Sequence, residues 1–336
     1  MATIYLNRKS FVHNASYYSN LLGDKKKLCI ALKDNAYGHG IKQISQLSKE
    51  FGIKHCIVKN IHEANIANNY NFETILILYD IPQTNYPKNY YFAINDLSKI
   101  QLYNQNTNVE LKIDTSMSRN GIEISQIKEA IELIQKYKLN LKGVFTHFCC
   151  ADENNDTTIK QEKLFEDVII QIKKLIKTPF RIHCANSTGS HKVDNSKYDI
   201  ARVGIGLYGY IDLEQYKSNT KPVLSLYANK ISTRTLKQGD GIGYGATYKV
   251  EKDNFTVSNY DIGYGDGFFR VNENQNAFIK DKRKILGRVS MDSLSIQGED
   301  EEVCIFDDAT HLAKVQNTIH YEILTHLNGN LNRVIK

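Results

Sequence analysis

The stretch LCIALKDNAYGHG, residues 28–40, begins with an unbroken apolar run and then delivers a single lysine, Lys33. A strand with one face in water alternates apolar and polar residues; a strand buried on both faces is continuously apolar. The run at 28–33 is of the second kind, and it recurs. HCIVKN (55–60), TILILYD (74–80), YYFAIND (90–96), VELKID (109–114), LKGVFTH (141–147), FRIHCAN (180–186) and DIARVG (199–204) read the same way. Between most of them lie stretches such as ISQIKEAIELIQKY and TIKQEKLFEDVIIQIKKLIK, with apolar residues at i, i+3, i+4 and i+7, the spacing of a helix face. Eight such strands alternating with helices over about 200 residues predict an α/β fold, a (β/α)8 barrel of the TIM type.

Beyond about residue 222 the texture changes. VLSLYANKISTRTL, FTVSNYDIGYG, KILGRV, SLSIQ and VCIFDD are strand-like runs separated by short polar or glycine-containing turns. No long helical pattern returns before NTIHYEILTHLN near the end. The expected division is a barrel over 1–222 and a mostly-β C-terminal domain over 223–336.

Composition bounds the function. The chain has 336 residues, 41% of them hydrophobic, enough for a large core, and Gly and Pro are too few for a disordered chain. The net charge of +6 is spread along the sequence without a basic stripe, so no nucleic-acid partner is expected. A mild positive excess suits anionic ligands. The six cysteines show no C-x-x-C pair or metal-ligand spacing, so no metal is expected and a reducing compartment is. The start, MATIYLNRKS, lacks the charged head and long apolar run of a signal peptide, and no apolar segment reaches the roughly 20 residues of a membrane span. These features predict a soluble cytoplasmic protein with no membrane partner.

Active sites of such barrels sit at the carboxyl ends of the strands. Here those ends carry Lys33 after strand one, Lys112 and then Arg119 after strand five, His147 after strand six, His183 and then Ser187 after strand seven, and Arg202 followed by Gly204, Ile205 and Gly206 after strand eight. A lone histidine or arginine at a strand end is more often structural, but this many polar groups on one rim point to a site. ANSTGS and VGIG follow strands seven and eight, the usual phosphate position of the fold, and offer a hydroxyl and unobstructed backbone N–H groups. A phosphate cradle facing a rim lysine suits pyridoxal 5'-phosphate, with Lys33 holding the aldehyde covalently and Tyr37 reaching a phosphate oxygen.

KDNAYGHG, LKIDTSMSRNG, THFCCADE, HCANSTGS, ARVGIGLYG, GYGATY, IGYGDGFFR and GRVSMD, in this order over nearly the whole chain, resemble the motifs of the alanine racemase family of pyridoxal-phosphate enzymes. The resemblance implies a homodimer with shared active sites that interconverts L- and D-alanine and supplies D-alanine for peptidoglycan. It implies that Lys33 carries the cofactor and is one acid–base, and that Tyr244, reaching over from the partner subunit, is the other. It places Arg202 on the pyridine nitrogen and Arg119 on the cofactor's phenolic oxygen and the substrate carboxylate. His147 and His183 would orient Arg202 and Tyr244, while Tyr37, Ser187, Gly204 and Ile205 hold the phosphate. Met291 would present its backbone to the substrate, Tyr264 would narrow the entrance, and Asp152, Arg288 and Asp292 would lie further out. Lys112 aligns with a lysine that is often carbamylated and then pairs with the arginine at Arg119. The sequence departs from the family pattern at Ser116 and Ser118, where glycine is common, and at Gly329, where a tyrosine often binds phosphate. A racemase of serine or of broader specificity is the alternative on the substrate side. A fold-type III amino-acid decarboxylase, which shares the barrel and the lysine, is disfavoured by Arg202, where it needs a carboxylate. A single-barrel cofactor carrier lacks the second domain, and a phosphosugar barrel enzyme lacks the cofactor.

Overall fold

A computed structural model describes residues 2–82, 85–271 and 275–336. The chain forms two compact units: residues 10–36 with 44–221, and residues 1–9, 37–43 and 222–336.

The first unit is built on eight parallel strands, Leu28–Ala31, His55–Val58, Thr74–Ile77, Tyr90–Ile94, Asn108–Lys112, Asn140–Phe145, Arg181–His183 and Ala201–Val203, called barrel strands one to eight. Each of the eight predicted runs overlaps one of them, and the strands Asn108–Lys112 and Asn140–Phe145 begin one residue before their runs. Their lateral order is seven, six, five, four, three, two, one, eight. The ends of that order approach through individual bonds, Asp199 N–H to Ile182 O at 2.9 Å and Arg202 N–H to Ala185 O at 3.0 Å, so the barrel is nearly closed. Strands one and three are buried at every position, as their unbroken apolar runs require. The helices Ile127–Lys136 and Thr157–Leu175 fall in the two predicted amphipathic stretches. Ile127, Ala130, Ile131 and Ile134 of the former are buried, an i, i+3, i+4, i+7 face.

In the second unit a 13-residue strand, Leu224–Leu236, is the spine of a seven-stranded sheet. It pairs antiparallel with Phe255–Tyr260, Glu302–Phe306 and Thr3–Leu6. Thr3–Leu6 also pairs in parallel with Asn332–Ile335, so both ends of the chain enter this sheet. Neither terminal strand is among the strand-like runs read from the sequence. The expected C-terminal helical stretch, residues 317–328, holds one short helix, His320–His326, and another short helix, Thr310–Val315, precedes it outside that stretch.

Candidate active site

After barrel strand one the chain does not run extended to Lys33. The strand ends at Ala31, and Lys33 opens a left-handed helical turn in which Asp34, Asn35, Ala36 and Tyr37 have φ of 54, 54, 54 and 52°. For L-residues this conformation costs about 1–2 kcal/mol each, so the surroundings must enforce it. Glu63 does so: its carboxylate accepts the backbone N–H of Asn35 at 3.0 Å and of Lys59 at 2.8 Å. The Lys33 ammonium lies 3.3 Å from Asp34, which also pairs with Lys59 at 2.9 Å. Tyr37 closes the turn and, within the second unit, faces Tyr321 with ring centroids 5.9 Å apart.

Around the same barrel rim the structure gathers Lys33, Lys112, Arg119 and Arg202 about His147. Burial first, and then the charges of Arg202, Arg119, Lys112 and Lys33, hold the His147 imidazole down at about 3, so it is neutral at physiological pH. Four cations around one mouth make a field suited to a phosphate and a carboxylate. Neither His147 nor Arg119 makes a hydrogen bond among the described residues. Arg119 lines a cavity of about 910 Å³ together with Lys99, Asn95, Asn120, Ser116 and Ser118. The loop leading to it is stapled by Asp114, whose Oδ1 accepts the N–H groups of Ser116, Met117 and Ser118 at 3.0, 2.8 and 3.1 Å. Asp152 lies exposed in the loop after strand six.

Arg202 is held inside the barrel. Its Nη1 donates to His183 Nδ1 at 2.8 Å, and its Nη2 donates to Thr146 O at 2.6 Å and Cys184 O at 3.0 Å. A guanidinium has five N–H donors, so Nε–H and one Nη1–H are left over for an acceptor above. His183 is fully buried, stacks on Phe145 at 5.0 Å and passes its Nε2 to Glu110 at 2.8 Å. Glu110 carries the other end of this chain and pairs with Arg181 as well. Burial would raise the Glu110 carboxyl, but Arg181 and then His183 outweigh it and hold it at about 2.

Ser187 organises the anion cradle. Its Oγ accepts the N–H groups of Gly204 at 3.0 Å and Gly206 at 3.1 Å, which leaves its own O–H to donate outward. The N–H of Ile205, a buried residue between them, has no acceptor among the described residues. Gly206 is required for space: a Cβ there would stand 2.1 Å from the Tyr18 hydroxyl, which supports the loop by donating to Ser187 O. A hydroxyl donor beside an unengaged buried N–H fits a phosphate, and the leftover Arg202 donors fit a ring nitrogen. The residues present therefore fit pyridoxal phosphate.

The remaining predicted residues lie in the second unit. The short ladder of Gly241–Ile242 with Tyr248–Lys249 carries a turn at Tyr244–Ala246. Ile242 anchors it in a cluster with Val250, Phe255, Val257 and Leu286, a burial that stabilises by about 1.5–3 kcal/mol per large side chain. Tyr244 is thereby left 65% exposed. Arg288 packs beside Gly243 and Gly245 of the same turn. Tyr264 N–H donates to Ser290 O at 3.1 Å and Gly265 N–H to Met291 O at 2.8 Å, which brings Tyr264, Met291 and the neighbouring Asp292 together. Met291 is 54% exposed.

Glu110, Glu63 and Asp114 escaped the sequence reading. For Glu110 a signal existed: in VELKID the charged Glu110 and Lys112 alternate with Val109, Leu111 and Ile113, which puts both charges on one face of a buried strand. Glu63 and Asp114 had no such signal, since each serves backbone groups whose positions only the fold defines.

Sequence profiles described as alanine racemase, N-terminal domain, and alanine racemase, C-terminal domain, match residues 6–212 and 223–335. The alanine racemase of Campylobacter concisus (strain 13826) is 39% identical over 338 residues, covering 99% of each chain. The solved alanine racemase of Clostridium difficile 630 superposes with a TM-score of 0.88 at 24% identity, over 100% of this chain and 95% of that one. The alanine racemase of Bartonella henselae, solved with covalently bound pyridoxal phosphate, gives 0.83 at 22% identity, over 100% and 99% of the two chains. At such identities the solved structures speak for the fold.

Proposed function

The chain belongs to the alanine racemase family and interconverts L- and D-alanine, and from that premise we propose how its own residues do so. The cofactor is pyridoxal phosphate, carried on Lys33. Its phosphate is held by Ser187, by the backbone at Gly204 and Ile205, and by Tyr37. When bound, this cofactor supplies an electron sink that acidifies the substrate Cα–H.

Racemisation takes that proton from one face and returns one to the other. Lys33 Nζ and Tyr244 Oη are the two acid–bases, each serving one face. Arg119 orients the substrate carboxylate and the cofactor's phenolic oxygen, and Met291 contributes backbone contacts to the carboxylate. Tyr264 narrows the entrance, with Asp152, Arg288 and Asp292 in its outer part. His147, kept neutral, and His183 orient Arg202 and Tyr244. The observation that carries this reading is the setting of Arg202. It is pinned by three hydrogen bonds and keeps two donors to spare. Because a guanidinium donates and does not release its proton, the ring nitrogen it meets stays unprotonated, which favours simple proton exchange over decarboxylation.

The mostly-β domain over 223–336 completes the site of a partner subunit in a homodimer, which accounts for an acid–base that is largely exposed on one chain. The six cysteines are free thiols, in keeping with the reducing cytoplasm, where the D-alanine feeds peptidoglycan synthesis.

Two measurements test the proposal. The purified protein is incubated with L-alanine or L-serine and the products are resolved by chiral chromatography; D-alanine should approach an equal mixture. Borohydride should then fix the pyridoxyl group to the peptide spanning residues 31–40. Label on any other lysine would remove Lys33 from its role.

A further inference from the structure

Behind Arg202 lies a relay that crosses the barrel interior. Glu110 stands on barrel strand five, Arg181 and His183 at alternate positions of strand seven, and Arg202 on strand eight. Strand six lies between Glu110 and its partners, and the residue there is Gly143. A Cβ on Gly143 would stand 2.7 Å from Glu110 Cδ, so the missing side chain is what lets the carboxyl pass. Glu110 is fully buried, as is His183.

The direction of every proton in the relay can be worked out. Arginine only donates. The 2.8 Å contact of Arg202 Nη1 with His183 Nδ1 therefore makes Nδ1 an acceptor. Burial first lowers the His183 imidazole, to about 4, so the ring is neutral and its one hydrogen sits on Nε2. That N–H donates to Glu110 Oε2 at 2.8 Å. The other oxygen, Oε1, accepts from Arg181 Nε. Both oxygens of Glu110 must accept, and only a carboxylate does that.

We propose that Glu110 is a positioning residue for the racemase reaction: by accepting from both Arg181 and His183 it fixes the Nε2–H tautomer of His183, and through it the orientation of the Arg202 guanidinium. The link to the reaction rests on the reading of Arg202 as the donor to the cofactor's ring nitrogen; the link to His183 does not.

Glutamine at this position is the informative change. Arg181 accepts nothing, so the amide oxygen of a Glu110→Gln side chain must turn to it. The amide NH2 then faces His183 Nε2, which has to become the acceptor. The proton moves to Nδ1 and confronts the Arg202 N–H. If Arg181 is also changed, to Met, the amide is free to turn its oxygen back to His183.

The test uses full-length holoenzyme with nitrogen-15-labelled histidine, its ring tautomers read by NMR and the His183 signal assigned by comparison with His183→Gln. Wild type should show Nε2–H. Glu110→Gln should shift His183 towards Nδ1–H, with kcat and cofactor affinity each falling about 10- to 100-fold, the size of effect that partners one step behind the ligands have at metal sites. Glu110→Gln with Arg181→Met should restore Nε2–H and most of the rate. A carboxylate that merely neutralises Arg181 would leave the tautomer unmoved in the single variant, and that result overturns the inference. Should Glu110→Gln not fold, the wild-type signal decides: an Nδ1–H ring at His183 overturns it equally. Arg202→Gln tests the underlying reading separately. Unchanged cofactor affinity in that variant would remove Arg202 from the ring nitrogen and leave the Glu110–His183 link standing.

Discussion

Lys112 sits where a charged lysine is costly. It is 7% exposed at the end of barrel strand five. Burial first, then Arg119 and Arg202, lower its ammonium to about 8. An unfolded lysine keeps its proton to about 10.4, so between these values the unfolded chain binds more protons and stability rises with pH. Below about pH 8 the destabilisation is fully present. The same lowering frees more of the neutral amine, the form that combines with carbon dioxide. A carbamate would replace the cation by an anion beside Arg119 and relieve the repulsion. In carbon-13-labelled bicarbonate the protein should therefore show a carbamate resonance that strengthens as pH rises through about 8 and is missing from Lys112→Met. No such resonance at saturating bicarbonate would leave Lys112 an uncarbamylated positioning group.

At the scale of the element, the loop from Asp114 to Gly121 shows how a strained backbone is kept. Ser116 and Ser118 have φ of 89 and 54°, in the left-handed region that glycine adopts freely. These are the positions where the family resemblance leads one to expect glycine. The backbone form survives the serines because Asp114 caps three consecutive N–H groups. Relieving a left-handed residue is worth about 1–2 kcal/mol, offset by the roughly 0.4–1 kcal/mol that glycine's greater freedom adds to the unfolded chain. Ser116→Gly and Ser118→Gly should each stabilise by about 0.5–1 kcal/mol, read as an upward shift of the urea midpoint at unchanged slope. A fall in midpoint for both would mean that the loop is not strained. Asp114→Ala should act oppositely, lowering the midpoint and raising the KM for alanine through Arg119.

For the whole molecule the question is where the second acid–base comes from. Tyr244 projects from its turn 65% exposed, a poor setting for proton transfer unless another surface encloses it. Lys33→Ala and Tyr244→Phe each spoil a different half of the proposed site. If the halves come from different subunits, a heterodimer of the two variants has one site with both groups and one with neither. Random reassortment makes about half the dimers mixed, so about a quarter of wild-type activity should return on co-expression. Activity no greater than the sum of the two parents, with mixed dimers demonstrated, would put both acid–bases in one chain. Tyr244→Phe keeps the ring and loses only the hydroxyl, so assembly should survive.

Local pattern alone determined the eight barrel strands, the helices of the two amphipathic stretches and the change to a strand-rich pattern after residue 222, and it singled out the cations around the barrel, although Lys33 lies beyond the end of its strand and Arg202 within its own. Those features follow from the burial of neighbouring residues, and neighbours in the chain carry that information. Tertiary structure decided what depends on closure. Glu110 meets His183 across 73 positions of sequence, over the gap left by Gly143. Thr3–Leu6 finds its sheet only because Leu224–Leu236 and Asn332–Ile335 lie beside it. The left-handed turn after Lys33 exists because Glu63, from a later helix, accepts its N–H. In each case the energy comes from partners distant in sequence, and no local period records which buried donor will meet which acceptor.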